Sequence, residues 1–389
     1  MYKEYDIILV GAGLANGLIA LYINQYHPTL RCLMLESNNT PFGNHIWSFH
    51  QNDLSQKQFI LLKPLISFSW SSYKVYFPNF QRRIIGNYYS ITSTNFTRYL
   101  TNIMGKNLLT TTKVIHITPT KVILENNDEI HAKVVIDGRG IRSMPYFQVG
   151  YQVFIGQEWQ LSHPHHLSQP ILMDATVDQQ EGYHFIYILP FNNKRLLIED
   201  TYYVNQPILN QIKIRKNIIK YAQDHNWKLN KLIREEEGSL PIILSGDINM
   251  FWKQQGNQPC SGLRAGILHF TTGYSLPIAM SLAECIIGKL PTNSFVISQC
   301  IEMFARQHWH NQRFFRFLNR ILFLTDHPKQ RWKIIQHFYR LDADLISRFY
   351  FGHLRLKDKI CILYGKPPVS INKVLRALLR INHSTGNIL

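Results

Sequence analysis

A glycine turn between two apolar strands constrains this chain more than any other feature. Residues 6–36 read DIILVGAGLANGLIALYINQYHPTLRCLMLE. Ile7 to Val10 form a wholly apolar run, as expected of a parallel strand buried on both faces. Gly11-Ala12-Gly13 turns the chain, and Leu14 to Tyr26 are proline-free and helix-forming. Pro28 ends that helix, residues 31–35 form a second apolar strand, and Glu36 closes it. Strand, glycine turn, helix, strand and terminal acid make a dinucleotide-binding unit. Gly11 permits the tight turn, and Gly13 lets the backbone approach a pyrophosphate held at the helix N-terminus. Glu36 is placed to accept hydrogen bonds from a ribose diol. The candidate cofactor contacts are therefore Gly11, Ala12, Gly13, Leu14, Ala15, Asn16 and Glu36. One position departs from the pattern: Asn16 stands where the third glycine belongs, with Gly17 next. A membrane span or signal sequence here is excluded by the early glycines, the short apolar length and the lack of a basic leader.

The 389 residues are enough for two intimately joined domains. A net charge of +17 points to an anionic partner, a nucleic acid or a membrane surface. The charge is uneven: residues 301–389 hold 16 Lys and Arg against 5 Asp and Glu. No nucleic-acid-binding motif accompanies it, which leaves the membrane surface. Five scattered cysteines with no C-x-x-C spacing read as free thiols in a reducing compartment. His163-Pro164-His165-His166 has no neighbouring ligands at metal spacing, so no metal site is expected.

Further stretches carry chemistry. In AKVVIDGRGIRS (132–143) a strand ends at Asp137-Gly138, as in the motif that lies beside the dinucleotide in FAD-dependent hydroxylases. Residues 150–205 alternate aromatic and β-branched residues between turns and predict an antiparallel sheet. Phe154, Trp159, Phe185, Tyr187 and Leu189 line an apolar tunnel or pack a core. Within that sheet, RLLIEDTYY places Glu199 and Asp200 side by side, so alternation sends them to opposite faces. A carboxyl among such apolar neighbours has its pKa raised and becomes a proton donor near neutral pH; the residues alone leave open a surface ion pair at a strand end. Residues 261–285 read strand, loop, glycine turn and apolar helix, like the last segment of glutathione-reductase-type flavoproteins, with Gly266, Gly273 and Tyr274 at its turns. That segment usually offers an Asp to the ribityl chain, and here Arg264-Ala265-Gly266 has none. In the basic tail, Arg313, Arg316 and Arg320 share one helix face, and Phe314, Phe317, Ile321 and Leu324 another.

Several of these stretches together resemble the bacterial lycopene β-cyclase family of carotenoid biosynthesis. They are ILVGAGLANGLIAL (8–21), GNHIWSFH (43–50), VVIDGRG (134–140), VGYQVFIGQEW (149–159), SHPHHLSQPILMDATVDQQEGY (162–183), LLIEDT (196–201), REEEGSLPI (234–242) and HFTTGYSLP (269–277). Asn16 matches that family's form of the glycine fingerprint.

The resemblance implies an α/β protein with an FAD-binding, Rossmann-like fold of glutathione-reductase type, an inserted antiparallel substrate sheet and a C-terminal helical region. On this reading residues 1–148 and 256–290 bind FAD, 149–255 bind substrate, and 291–389 form the basic helical region. It also implies a flavoprotein that needs reduced FAD, with NAD(P)H as electron source, and that converts lycopene ends to β-rings without net redox change. The family's essential carboxylate falls on Glu199, with Asp200 in support. The expected partners are lycopene, a membrane lipid surface and other carotenoid-pathway enzymes. The expected location is cytoplasmic, peripheral to the inner face of the membrane, with no span or signal peptide. The competing readings are an FAD-dependent monooxygenase or prenyl reductase on the same fold, and a flavin-free prenyl-lipid carrier.

Overall fold

A computed structural model describes residues 4–140, 144–208, 210–324 and 328–364. Arg142 and Ser143 of the Asp-Gly stretch and the last 25 residues of the basic tail lie outside them. The strands in chain order are β1 (Tyr5–Val10), β2 (Cys32–Leu35), β3 (Ile46–His50), β4 (Phe68–Phe77), β5 (Phe80–Thr92), β6 (Leu108–Leu109) and β7 (Val114–Ile117). They continue as β8 (Lys121–Leu124), β9 (Glu129–Asp137), β10 (Phe147–Leu161), β11 (Ile171–Asp174), β12 (Tyr183–Asn192), β13 (Arg195–Val204) and β14 (Leu229–Gly246).

They form two sheets. The first has the order β6-β2-β1-β9-β8-β7. Its parallel centre pairs Ile7 with Cys32 and with Val134. Alternation divides β1 between two cores, which is why its four apolar residues are all buried. Ile7 and Leu9 pack with helices Leu14–Tyr26 and Leu276–Ile287, and Ile8 and Val10 pack with Leu33, Leu35 and Val122. The return segment joins this layer directly: Asp137 N–H donates to Pro259 O and Ser261 N–H to Asp137 O.

The second sheet is larger, in the order β14-β10-β13-β12-β11-β4-β5-β3. The antiparallel stretch expected over 150–205 is its centre, but the sheet reaches further in both directions. Strands β3 to β5 come from residues 46–92, so a boundary at 148/149 does not separate the two sheets. The link is a parallel pairing of β4 with β11, about a hundred positions apart, which no local pattern announces. Pro241 sits in β14, where the edge position makes its missing N–H harmless.

The two faces of this sheet are covered differently. One carries Ile155, Ile186, Ile198 and Tyr202 and is closed by helix Gln211–Asp224 through Ile214 and Ile218. The other carries Tyr183, Phe185, Leu189, Leu197 and Tyr203, and is roofed by Phe315, Leu322, Phe323, Tyr339 and Phe349 of the tail helices. Arg331, 1% exposed, fastens that roof by donating to Tyr203 O, Leu322 O and Asn205 Oδ1.

Helix Arg313–Leu324 packs on the body, but not by the faces its periodicity suggests. Of the expected apolar face Ile321 is buried, but Phe314, Phe317 and Leu324 are half-buried, while Phe315, Arg316, Asn319 and Leu322 are buried. RFFRFLNRILFL is aromatic on nearly every side, so spacing alone does not select a face. Asn319 donates to Ile243 O and Phe270 O, and the Arg316 guanidinium lies 3.8 Å over the Trp309 ring. These two groups use hydrogen bonding and cation–π attraction to occupy positions that spacing would give to hydrocarbon.

Candidate active site

The glycine turn of residues 11–13 is built for an anion. Gly13 is the N-cap of helix Leu14–Tyr26, no side chain caps that helix, and a Cβ at Gly13 would meet nothing within 4 Å. The open space and the free N–H groups of the first turn fit a pyrophosphate. Gly11 has φ +88°, and a Cβ there would lie 3.0 Å from the Gly138 carbonyl, so only glycine suits the position.

The two roles of a third glycine are divided between neighbours. Gly17 provides close packing: a Cβ there would lie 2.5 Å from the Phe96 ring and 2.8 Å from Phe42. Asn16 provides polar cross-links instead. Its Nδ2 donates to Val10 O (3.0 Å) and Gly11 O (2.8 Å), and its Oδ1 accepts from Ser261 Oγ (2.7 Å). Three bonds at about 0.5–1.5 kcal/mol each, two of them buried, tie the first strand, the turn and the return segment together.

Glu36 faces the turn. Its Oε2 accepts from Ala12 N–H at 2.8 Å, and its Oε1 accepts from Asn38 N–H at 2.9 Å and Asn38 Nδ2 at 3.0 Å. A ribose diol would share these oxygens with the loop. That loop is pinned by Phe42, whose N–H donates to Ala12 O and whose backbone is left-handed at φ 63°. For a buried aromatic residue this is a strained conformation held by its surroundings.

Asp137 is placed beside the turn, but its carboxylate is engaged by Arg139 at 2.9 Å and Arg264 at 2.7 Å. The neighbouring Gly138 packs against Gly11, Asn16 and Ser261. Gly266 lies near Phe251 and Phe147. Gly262, which the sequence reading passed over, is the glycine that meets the first helical turn: a Cβ there would lie 3.1 Å from that of Ala15. Gly273 packs on Leu240, and Tyr274 reaches the second sheet.

Glu199 and Asp200 go to opposite faces of β13. Asp200 is fully buried under helix Gln211–Asp224. It pairs with His184, whose ring stacks on Tyr202, and accepts from Asn217 Nδ2 at 3.1 Å. Every partner there is a hydrogen-bonding group of the fold.

Glu199 lies under the tail roof, in the row Tyr187–Glu199–Gly156–Glu236 across β12, β13, β10 and β14. Register puts Phe154, Phe185, Tyr187 and Leu189 on its face and Trp159 on the other. Its Oε1 accepts from Thr201 Oγ1 at 2.8 Å. Its Oε2 faces the space above Gly156, where a Cβ would lie 3.4 Å away. The residue keeps a partly open side, yet protein surrounds its carboxyl. Burial, reinforced by the like charge of Glu236, pushes its pKa up to about 8. Beside it runs a hydroxyl chain from Ser90 to Ser48 (2.7 Å), Tyr187 (3.0 Å), Tyr88 (2.9 Å) and Tyr274 (3.0 Å). Burial holds the three phenols well above their ordinary range, so they stay neutral. The site thus sets a carboxyl with a raised pKa beside aromatic rings on one face of the sheet. Tyr88 and Ser48 were not foreseen, because each reaches the site through pairings distant in sequence.

His165 serves the fold: its Nδ1 accepts from Leu167 N–H and its Nε2 contacts Asn192 O. His163, His165 and His166 belong to no group of three or more possible metal ligands among the described residues. No helix among those residues is long and apolar enough to cross a membrane.

The fold and this arrangement define a class. A geranylgeranyl bacteriochlorophyll reductase-like protein from Thermoplasma acidophilum superposes with TM-score 0.58 at 14% identity, covering 97% of this chain and 96% of that one. A flavin-dependent brominase superposes with TM-score 0.59 at 14% identity, covering 98% and 100%. This is the FAD-binding, Rossmann-like fold with an added antiparallel sheet. Within that class, residues 6–376 match the lycopene cyclase protein family, and the chain belongs to it. Lycopene beta-cyclase of Pantoea ananas is 48% identical over 97% of this chain and 99% of its own. That of a Paracoccus species is 37% identical over 96% and 97%.

Proposed function

We propose that this chain is a lycopene β-cyclase in which Glu199 supplies the proton that starts ring closure. Family membership supports the substrate and the reaction. What supports the assignment to Glu199 is a carboxyl surrounded by protein, facing Glu236 across Gly156 and beside Tyr187, whose burial and acidic neighbour push its pKa up to about 8. Addition of that proton to the terminal double bond of lycopene gives a tertiary cation. The neighbouring double bond attacks it and the six-membered ring closes. A ring proton then returns to the Glu199 carboxylate, so no net oxidation or reduction occurs. The roof keeps water from trapping the cation, and the faces of Tyr187, Phe185 and Phe154 stabilise it.

Gly11 to Asn16, Glu36 and Gly138 would hold the pyrophosphate and ribose of FAD, with Gly273 and Tyr274 between the two sheets. Bound and reduced by NAD(P)H, FAD would supply negative charge that favours the cation. Helix Leu356–Leu363 supports a place on a membrane surface. Leu356, Ile360 and Leu363 are exposed on it beside Lys357 and Lys359, and lycopene is soluble only in lipid. The test is expression in a lycopene-accumulating host with chromatography of the pigments. β-Ring carotenoids are expected, and unchanged lycopene with soluble, flavin-loaded protein would contradict the proposal.

A further inference from the structure

A row of alternating charge leads to Glu199 from the rim of the second sheet, on the face under the tail roof. Arg195 pairs with one oxygen of Glu158, and the other Glu158 oxygen accepts from Arg234 Nε at 3.1 Å. Arg234 Nη1 in turn donates to Glu236 Oε2 at 2.5 Å and to the backbone and side chain of Asn44 at 3.0 and 3.1 Å. Each charge in this row has an opposite charge beside it, except at the last step. There Glu236, 7% exposed, meets Glu199, its register neighbour two strands away.

Two carboxyl groups in the same row are normally separated by the side chain of the strand between them. Here that position is Gly156. A Cβ at Gly156 would lie 3.4 Å from Glu199 Oε2 and 3.4 Å from Glu236 Cγ, so the missing side chain is what lets the two acids face each other. Like charges at such range cannot both be ionised at low cost. The asymmetry of their partners decides which one carries the proton. Burial raises the pKa of both acids, but at Glu236 the Arg234 guanidinium, 2.5 Å away, opposes the rise, whereas among the described residues the hydrogen bond to Glu199 comes from the neutral Thr201 hydroxyl.

We propose that Glu236 acts on the reaction through Glu199: paired with Arg234, it faces Glu199 across Gly156 and holds the working proton there. It is a positioning residue, and the proposal rests on the reading of Glu199 as the proton donor. The other groups that bear on Glu199 are the neutral phenols Tyr187 and Tyr203, Arg234 itself, and Asp200 on the opposite face of its own strand. None of these supplies a negative charge on the same face. Arg234 favours ionisation of Glu199, so the net bias toward the proton comes from burial and Glu236.

The test is the pH–rate profile of the FAD-loaded enzyme with lycopene, for wild type, Glu236→Gln, Glu236→Asp and Gly156→Ala. In wild type the rate falls as pH rises through about 8, where Glu199 loses its proton. Glu236→Gln removes the facing charge while keeping an acceptor for Arg234. Its alkaline limb should move to lower pH by on the order of one unit. Glu236→Asp should move it back toward wild type. Gly156→Ala, which parts the two acids, should shift it the same way as Glu236→Gln but less. An alkaline limb that stays in place in both Glu236→Gln and Gly156→Ala would overturn the proposal. Glu199→Gln separates the two layers of the argument. If it is inactive at every pH while the limb does not move in the others, the role of Glu236 fails and that of Glu199 stands. If Glu199→Gln is itself active, the reading of Glu199 as donor fails.

Discussion

Glu199 and Asp200 are adjacent, carry the same functional group and sit in the same buried strand, yet their surroundings give them opposite work. Asp200 is met by His184, Asn217 and Tyr202, so its burial is compensated by hydrogen-bonding partners. Glu199 is met by one hydroxyl, a set of aromatic rings and a second carboxylate. The first environment joins helix Gln211–Asp224 to the sheet. The second makes the charge costly, and on the proposed reading the proton is kept until a substrate can take it. Burial alone therefore does not mark a catalytic acid. What marks it is burial without compensation on a face that a substrate can reach.

The contrast is sharpened most by Asp200→Asn. The substitution leaves the His184 ring facing an amide, and it should destabilise the fold by roughly 1–3 kcal/mol in chemical denaturation. Cyclisation per folded molecule should change far less than when Glu199 is altered. A cyclisation loss as deep as that of a Glu199 variant, at unchanged stability, would place Asp200 in the chemistry.

A subtler difference is in how stability depends on pH. The pKa of Glu199 is raised in the folded state, so the fold binds this proton more tightly than the unfolded chain does. The cost of burying Glu199 is absent below the ordinary glutamate value, grows as pH rises, and is complete above about 8. Glu199→Gln removes that titration. Its Tm relative to wild type should rise across this window and then level off, as thermal melts at several pH values would show. A constant offset would mean that Glu199 titrates normally.

The cofactor unit was legible because its determinants are contiguous: strand, turn, helix and acid fall within residues 6–36, and each leaves a local pattern. Asn16 read as a departure, since its value lies in bonds to Val10, Gly11 and Ser261, the last of them 245 positions away. The opposite directions of Glu199 and Asp200 follow from strand alternation and needed no structure. The partnership of Glu199 with Glu236 did, because it depends on the register of three strands and on the absence of one side chain between them. The large sheet was half legible for a similar reason. Its central strands follow one another in sequence, whereas β4 joins through a pairing across about a hundred positions. The tail illustrates a third limit, since a helix aromatic on all sides has no periodic face to read and its buried Arg316 and Asn319 depend on what they touch.

The most direct test is cyclisation of lycopene by purified Glu199→Gln carrying reduced FAD. The amide preserves the shape of the side chain and its bond from Thr201, but it cannot deliver a proton of suitable acidity. Activity should fall by the roughly 10²–10⁴-fold typical of general acid–base catalysis, with flavin content unchanged. A near wild-type rate from the flavin-loaded variant would show that the proton comes from another group.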